Sequence, residues 1–268
     1  GETTVEVAAV ADDAAALGPC DVVLFTVKGQ DSVAAADAMG PMVGPHTRVV
    51  SFQNGLFGVE LLAERFGAQR VLAGVTYVPA SVERPGRVVH TGAQKRFVFG
   101  PLDGAAPCGA AEELARLGTA AGLEMALVAD PEPEIWAKFV MLAPFHVISA
   151  LTRLPLGAWI AVEATRDLFR RGMTEVASVA ARRGVALPED LVSRNLAFAR
   201  ESADPRTRAS MLDDLERGRP LELEATVGWL LAEGRRHGVP RPIHEAGYAA
   251  LKPFVDGAPP APGDPQRA

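Results

Sequence analysis

The chain of 268 residues is long for one domain and comfortable for two, with 48% apolar residues available to fill two cores. Its formal net charge of −6 is offset by no basic stripe, which argues against nucleic acid or an anionic membrane surface as main partner and leaves small molecules. Cys20 and Cys108 are the only cysteines, too few for a disulfide framework or a thiolate metal site; with no signal-like leader, the expected compartment is a reducing cytoplasm.

Over residues 1–129 short β-branched runs alternate with alanine-rich helical stretches, the rhythm of a doubly wound α/β sheet. Strands are expected at Thr4 to Val10, Asp21 to Val27, Arg48 to Phe52 and Arg70 to Val78, with helices at Asp12 to Ala16, Ser32 to Ala38 and Gly58 to Phe66. Asp21 to Val27 is apolar without alternation and reads as a buried parallel strand whose end delivers Lys28. After Pro79 the pattern turns to alternation. Gly86 to Thr91 and Lys95 to Gly100, around Gly92-Ala93, predict an antiparallel hairpin at the sheet edge.

From Pro131 onward the spacing is helical: Glu134 to Leu151, Ala161 to Arg183, Pro188 to Arg200, Glu222 to His237 and Ile243 to Val255. An all-α domain over residues 130–256 follows. Gly184 and Gly238 stand past helices ending in Arg182-Arg183 and Arg235-Arg236-His237, which read as C-cap and dipole chemistry without a functional role. The longest apolar run, Phe139 to Leu151, is interrupted by Pro144 and His146 and falls short of the roughly 20 residues that cross a bilayer, so no membrane is expected. Residues 257–268, with Pro-Pro, Pro-Gly and Asp-Pro steps, read as a disordered tail.

Two clusters carry chemistry. Trp136-Ala137-Lys138 plants a lysine at the start of a long apolar helix, and Ser210-Met211-Leu212-Asp213-Asp214-Leu215 is followed by Glu222. An ammonium, a hydroxyl and a carboxylate meeting in a cleft are what a keto-acid reductase needs, because hydride addition makes an alkoxide that must receive a proton. From spacing alone each has an ordinary reading too. Lys138 can snorkel from a helix end. Glu222 suits a first helical turn, Ser210 an N-cap with Asp213 three residues on, Asn54 an Asn-Gly turn and Lys28 the surface. Phe139, Met141, Phe145 and Trp159 read as core, and the spacing of His46, His90, His237 and His244 suggests no metal. No Gly-x-Gly-x-x-Gly occurs and the chain opens directly on an expected strand. A first βαβ unit is therefore expected to be missing, because the chain is a fragment or because the fold has lost its pyrophosphate cradle.

In order and spacing, Asp21 to Lys28, Ser51-Phe52-Gln53-Asn54-Gly55, Pro85-Gly86-x-Val-x-His90-x-Gly92, Trp136-x-Lys138, Ser210-Met211-Leu212-x-Asp214 and Glu222 followed by Gly228 resemble the ketopantoate reductase (2-dehydropantoate 2-reductase) family, from about Thr4 to Lys252. The resemblance implies a partial Rossmann domain that binds NADPH, followed by an all-helical catalytic domain, in the manner of 6-phosphogluconate dehydrogenase. It implies reduction of a 2-keto acid to a 2-hydroxy acid, ketopantoate to pantoate in pantothenate biosynthesis, in a cleft between the domains. Lys138 would be the general acid, Glu222 would bond a substrate hydroxyl and help keep the lysine charged, and Ser210 would touch the substrate carboxylate. Asn54 would meet nicotinamide and substrate, with Lys28 and Gln30 beside the cofactor's ribose and phosphates. The preference for NADPH over NADH comes from the family alone. A homodimer is compatible with the resemblance.

Two departures matter. In the family, asparagines stand four and eight residues beyond the lysine and line the substrate pocket; here Leu142 and His146 take their places. Several hydrogen bonds of about 0.5 to 1.5 kcal/mol each would be lost, which favours a less hydroxylated or bulkier apolar 2-keto acid. His146 reads either as a second donor or as a satisfied core histidine, and Pro144 is expected to kink the helix. Two other readings stay open: another hydroxy-acid or opine dehydrogenase of the wider superfamily, and a non-catalytic binding or regulatory relative that has lost its dinucleotide loop.

Overall fold

A computed structural model describes residues 4–102, 104–106 and 108–259, and its chain divides into two compact units. The first runs to Pro131 but gives up two short segments, Lys28–Gln30 and Asn54–Phe57, which belong with Glu132 onward to the second. The expected tail lies outside the described residues from position 260 on.

In chain order the first unit carries β1 (Val22–Phe25), α1 (Ser32–Ala38), β2 (Arg48–Ser51), α2 (Phe57–Phe66), β3 (Val71–Tyr77), β4 (Ala80–Arg84), β5 (Arg87–His90), β6 (Arg96–Pro101), α3 (Gly109–Ala120) and β7 (Glu124–Leu127). Five strands form one sheet in the order β1-β2-β3-β6-β7, parallel except for the antiparallel pair β3 and β6. The aliphatic runs of β2 and β3 explain their central place. Val49, Val50, Val71, Leu72 and Ala73 are all buried, and Val50, Leu72 and Phe99 form a cluster with Ala111 of α3. Each such large side chain contributes about 1.5 to 3 kcal/mol of burial.

Several expected elements differ. Thr4 to Val10 forms no strand, and Val5, Val7 and Val10 are exposed, because an alternating segment without a neighbouring ladder has nothing to pair with. The helix expected at Asp12 to Ala16 is one 3₁₀ turn, Ala14–Ala16, capped by the Asp13 carboxylate accepting from the Ala15 N–H at 2.9 Å. Strand β1 is not buried on both faces: it is an edge of the sheet, and Leu24 is 51% exposed. The expected hairpin pairs different strands. The tight turn lies at Pro85-Gly86, where Gly86 takes φ +78°, so β5 pairs with β4, while β6 enters the main sheet between β3 and β7.

The second unit is helical: α4 (Glu132–Thr152), α5 (Leu156–Ile160), α6 (Glu163–Arg182), α7 (Leu191–Glu201), α8 (Ser210–Glu216), α9 (Trp229–Arg236) and α10 (Pro242–Leu251). At 21 residues α4 is longer than its apolar run suggested, and by length and composition it could cross a membrane, but 67% of its most apolar window is buried in the fold. It is a core helix. Phe139, Phe145 and Trp159 are buried, and Val147 and Ala150 join a cluster with Met211, Leu223, Val227 and Leu251. The helix runs unbroken through Pro144, whose ring lies where a Cβ on Gly172 of α6 would come within 2.7 Å.

The basic residues at helix ends do more than answer the dipole. Arg183 donates to Glu132 at 2.9 Å and to Glu233 at 2.8 Å, and its guanidinium lies over the Trp229 ring at 5.8 Å. Glu233, only 2% exposed, is also paired with Arg236 and stands 3.6 Å from His237.

Candidate active site

The short segments Lys28–Gln30 and Asn54–Phe57 belong to the helical unit. Lys28 follows β1 and Asn54 follows β2, adjacent parallel strands, so both leave the carboxyl edge where open α/β sheets bind ligands. Within the helical unit the Lys138 ammonium donates to the amide oxygen of Asn54 at 2.9 Å. The turn that carries Asn54 needs glycine next: Gly55 has φ +78°, and a Cβ there would come within 3.3 Å of the Phe139 ring. Phe139 stacks edge-on against Trp136 and Trp229, which fixes the helical turn bearing Lys138.

Electrostatics mark the same spot. Burial pulls the Lys138 ammonium down to about 8, while the Glu222 carboxylate opposes the shift. His146, two turns further along α4 and only 2% exposed, is brought down to about 4 by burial and by the charge on Lys138. Its ring is therefore neutral at neutral pH, and its Nδ1 is buried without a hydrogen-bond partner. The histidine is a core residue, but not a satisfied one. Leu142, one turn from Lys138, is part-buried.

Glu222 accepts a hydrogen bond from the Gly29 N–H at 2.8 Å. It does not open an α-helix: it precedes a π-helical turn, Glu224–Gly228, with the Gly228 N–H reaching the Leu223 carbonyl at 2.8 Å. Lys28 pairs with Asp214, whose carboxylate is 7% exposed. Nothing in the sequence marks Gly29, whereas Asp214 stands within the Ser-Met-Leu-x-Asp segment, whose spacing carries no sign of the pairing with Lys28.

Not every expected residue joins this group. Ser210 is exposed on the first turn of α8, and Ala209 holds the cap position, so the capping-box reading fails. Gln30 is exposed on the short 3₁₀ turn Gly29–Asp31.

Residues 1–104 match the family described as ketopantoate reductase PanE/ApbA, and residues 130–255 match ketopantoate reductase PanE/ApbA C terminal. The chain belongs to the ketopantoate reductase family. This family member is 34% identical over 276 residues to the 2-dehydropantoate 2-reductase of Mesorhizobium japonicum, covering 94% of this chain and 82% of the relative. It superposes on the 2-dehydropantoate 2-reductase of Geobacter metallireducens with a TM-score of 0.82 and 32% identity, over 89% of this chain and 78% of that one. The PanE/ApbA family ketopantoate reductase of Ralstonia eutropha gives 0.81 and 30%, over 91% and 78%. The architecture of a Rossmann-like sheet domain followed by helices is that of these ketopantoate reductases, oxidoreductases acting on CH–OH groups.

Proposed function

We propose that the chain reduces a 2-keto acid to a 2-hydroxy acid with NADPH, ketopantoate to pantoate by family, with Lys138 as general acid. The observation that carries this reading is the part-buried Lys138–Asn54 hydrogen bond of 2.9 Å, with the Glu222 carboxylate acting on the same ammonium. When bound, a dihydronicotinamide supplies the hydride that the C2 carbonyl accepts. Lys138 polarises that carbonyl and then gives an Nζ proton to the alkoxide oxygen, leaving a neutral amine that solvent reprotonates. Glu222 steadies the ammonium and accepts from a substrate hydroxyl. Ser210, on an exposed helix start, is suited to the substrate carboxylate. The cation of Lys28 and the amide of Gln30, both exposed, fit the ribose and phosphate end of the cofactor in donor chemistry.

Leu142 and the neutral His146 ring, with its unpaired Nδ1, favour a substrate whose far end is less hydroxylated than ketopantoate. The test is consumption of NADPH, followed by absorbance, with ketopantoate and a series of apolar 2-keto acids. Turnover of at least one, abolished in Lys138→Ala, is expected. Absence of both NADPH binding and turnover across the series would reject the reading in favour of a non-catalytic relative.

A further inference from the structure

We propose that the backbone amide of Gly29 is the positioning group for Glu222, and that the neighbouring pair of Lys28 and Asp214 holds it in place. The inference rests on the reading of Glu222 as the substrate-facing carboxylate. One oxygen of Glu222 is fixed by the Gly29 N–H at 2.8 Å, across 193 residues of sequence. That N–H opens the 3₁₀ turn Gly29–Asp31, where the first amides have no partner inside the turn, so a carboxylate is the natural acceptor. With this oxygen anchored, the carboxylate cannot swing, and its field on Lys138 is set by a main-chain atom rather than by another mobile side chain.

Space confirms that the approach is specific. Gly29 is buried, and a Cβ on it would overlap the methyl of Ala225 and stand 3.4 Å from Oε1 of Glu222. Its backbone lies outside the left-handed region, so glycine is required by contact and not by φ. Ala225 belongs to the π-helical turn that begins two residues after Glu222, so this turn and the 28–30 segment meet with no room for one more carbon. The residue just before is held in the same way: the Lys28 ammonium meets the Asp214 carboxylate, which is 7% exposed and has Arg219 at 3.9 Å. Two consecutive residues of one segment are thus each seated on a carboxylate.

The test compares Gly29→Ala, Ala225→Gly, the double variant and Asp214→Asn. Two quantities are read: steady-state kcat and KM, and the titration of Lys138, followed by NMR of ¹³C-methylated lysines and assigned with Lys138→Arg. Glu222 raises the Lys138 titration, Asn54 accepts from its ammonium and His146 feels its charge; of these three, Glu222 is the one that the variants move. Gly29→Ala should cut kcat/KM by about 100-fold, the scale of an ångström-level misplacement, and move the Lys138 titration downward as supporting negative charge withdraws. Ala225→Gly in the same chain should restore both, and Asp214→Asn should move both partway. An unmoved Lys138 titration in Gly29→Ala, or a double variant that restores neither quantity, would overturn the proposal. If the unaltered chain turns over no 2-keto acid yet its Lys138 titration moves and returns as described, the positioning stands and the reductase reading falls.

Discussion

Lys138 and Asn54, 84 residues apart in sequence, are joined by a hydrogen bond from the ammonium to the amide oxygen. The bond orients the one part-buried cation that α4 offers. Removing the cation should therefore cost more than removing the orienter. Lys138→Ala is expected to lower kcat by about 10²- to 10⁴-fold, the usual contribution of a general acid. Asn54→Ala, losing one hydrogen bond to a charged group worth about 1.5 to 3 kcal/mol, should lower it by about 10- to 100-fold. Single-turnover rates at saturating NADPH decide the order; equal effects would remove Asn54 from a merely orienting role.

The pH profile and the stability of Lys138 follow from one cause. A general acid titrating at about 8 gives kcat/KM that is level below that pH and declines above it. The same burial disfavours the ammonium in the folded chain, so below pH 8 folding carries the whole cost, and stability rises as pH climbs from about 8 toward the ordinary lysine value of 10.5. Lys138→Met should then be inactive yet more stable at pH 7, by on the order of 2 kcal/mol, with the gain gone above pH 10.5. Urea titrations of both chains at pH 7 and pH 10.5 measure it; an equally large gain at both values would assign the effect to packing instead.

How much of this was legible depended on whether the deciding partner was local. Lys138, Asn54 and Glu222 could be named because residue type, order and spacing carry them, and the helical second unit because its 3.6-residue period is sustained over long stretches. Which strand β5 pairs with was not legible, since both flanking segments alternate and only the Pro85-Gly86 turn decides. The neutrality of His146 depends on burial and on a charge two turns away, and the union of Arg183 with Glu233 spans 50 residues; spacing encodes neither. Asp214 lay inside a motif already noticed, but its partner Lys28 stands 186 residues upstream.

Ser210 separates substrate binding from stability. Because Ala209 holds the cap position and Ser210 is exposed, Ser210→Ala should leave the denaturation midpoint within about 0.5 kcal/mol of the starting chain. If the hydroxyl meets the substrate carboxylate, KM should rise by about 10-fold with kcat nearly unchanged, as loss of a hydrogen bond made equally in ground and transition states requires. An unchanged KM would take Ser210 out of the site.

His146 makes the fold sensitive to acid. Its folded value is about 4 against an ordinary 6.5, so the stabilising contribution of the neutral ring is complete above pH 6.5 and is lost as pH falls toward 4. His146→Leu should abolish most of this loss, on the order of 2 kcal/mol between pH 6.5 and 4. It also removes the unpaired Nδ1, so the variant should be no less stable at neutral pH. Guanidinium titrations at pH 4, 5.5 and 7 supply the comparison, and identical slopes with pH for both chains would rule the histidine out as the source.

Glu233 is a buried carboxylate held between Arg183 and Arg236. Arg183 reaches Glu233 with one nitrogen and Glu132 with another, tying the start of α4 to α9, and Trp136 also donates to Glu132 at 3.2 Å. A buried pair of this kind costs desolvation when made, yet removing one partner strands the other charge. Arg183→Met should therefore destabilise the chain by about 3 kcal/mol, even though Arg236 remains beside Glu233. Arg183→Met with Glu233→Gln should recover more than 1 kcal/mol, because an amide tolerates burial without a cation far better than a carboxylate does. A double-mutant cycle by chemical denaturation reads this coupling. Strictly additive losses would mean that the Arg183 guanidinium over the Trp229 ring, and not its pairing with Glu233, is what holds these helices together.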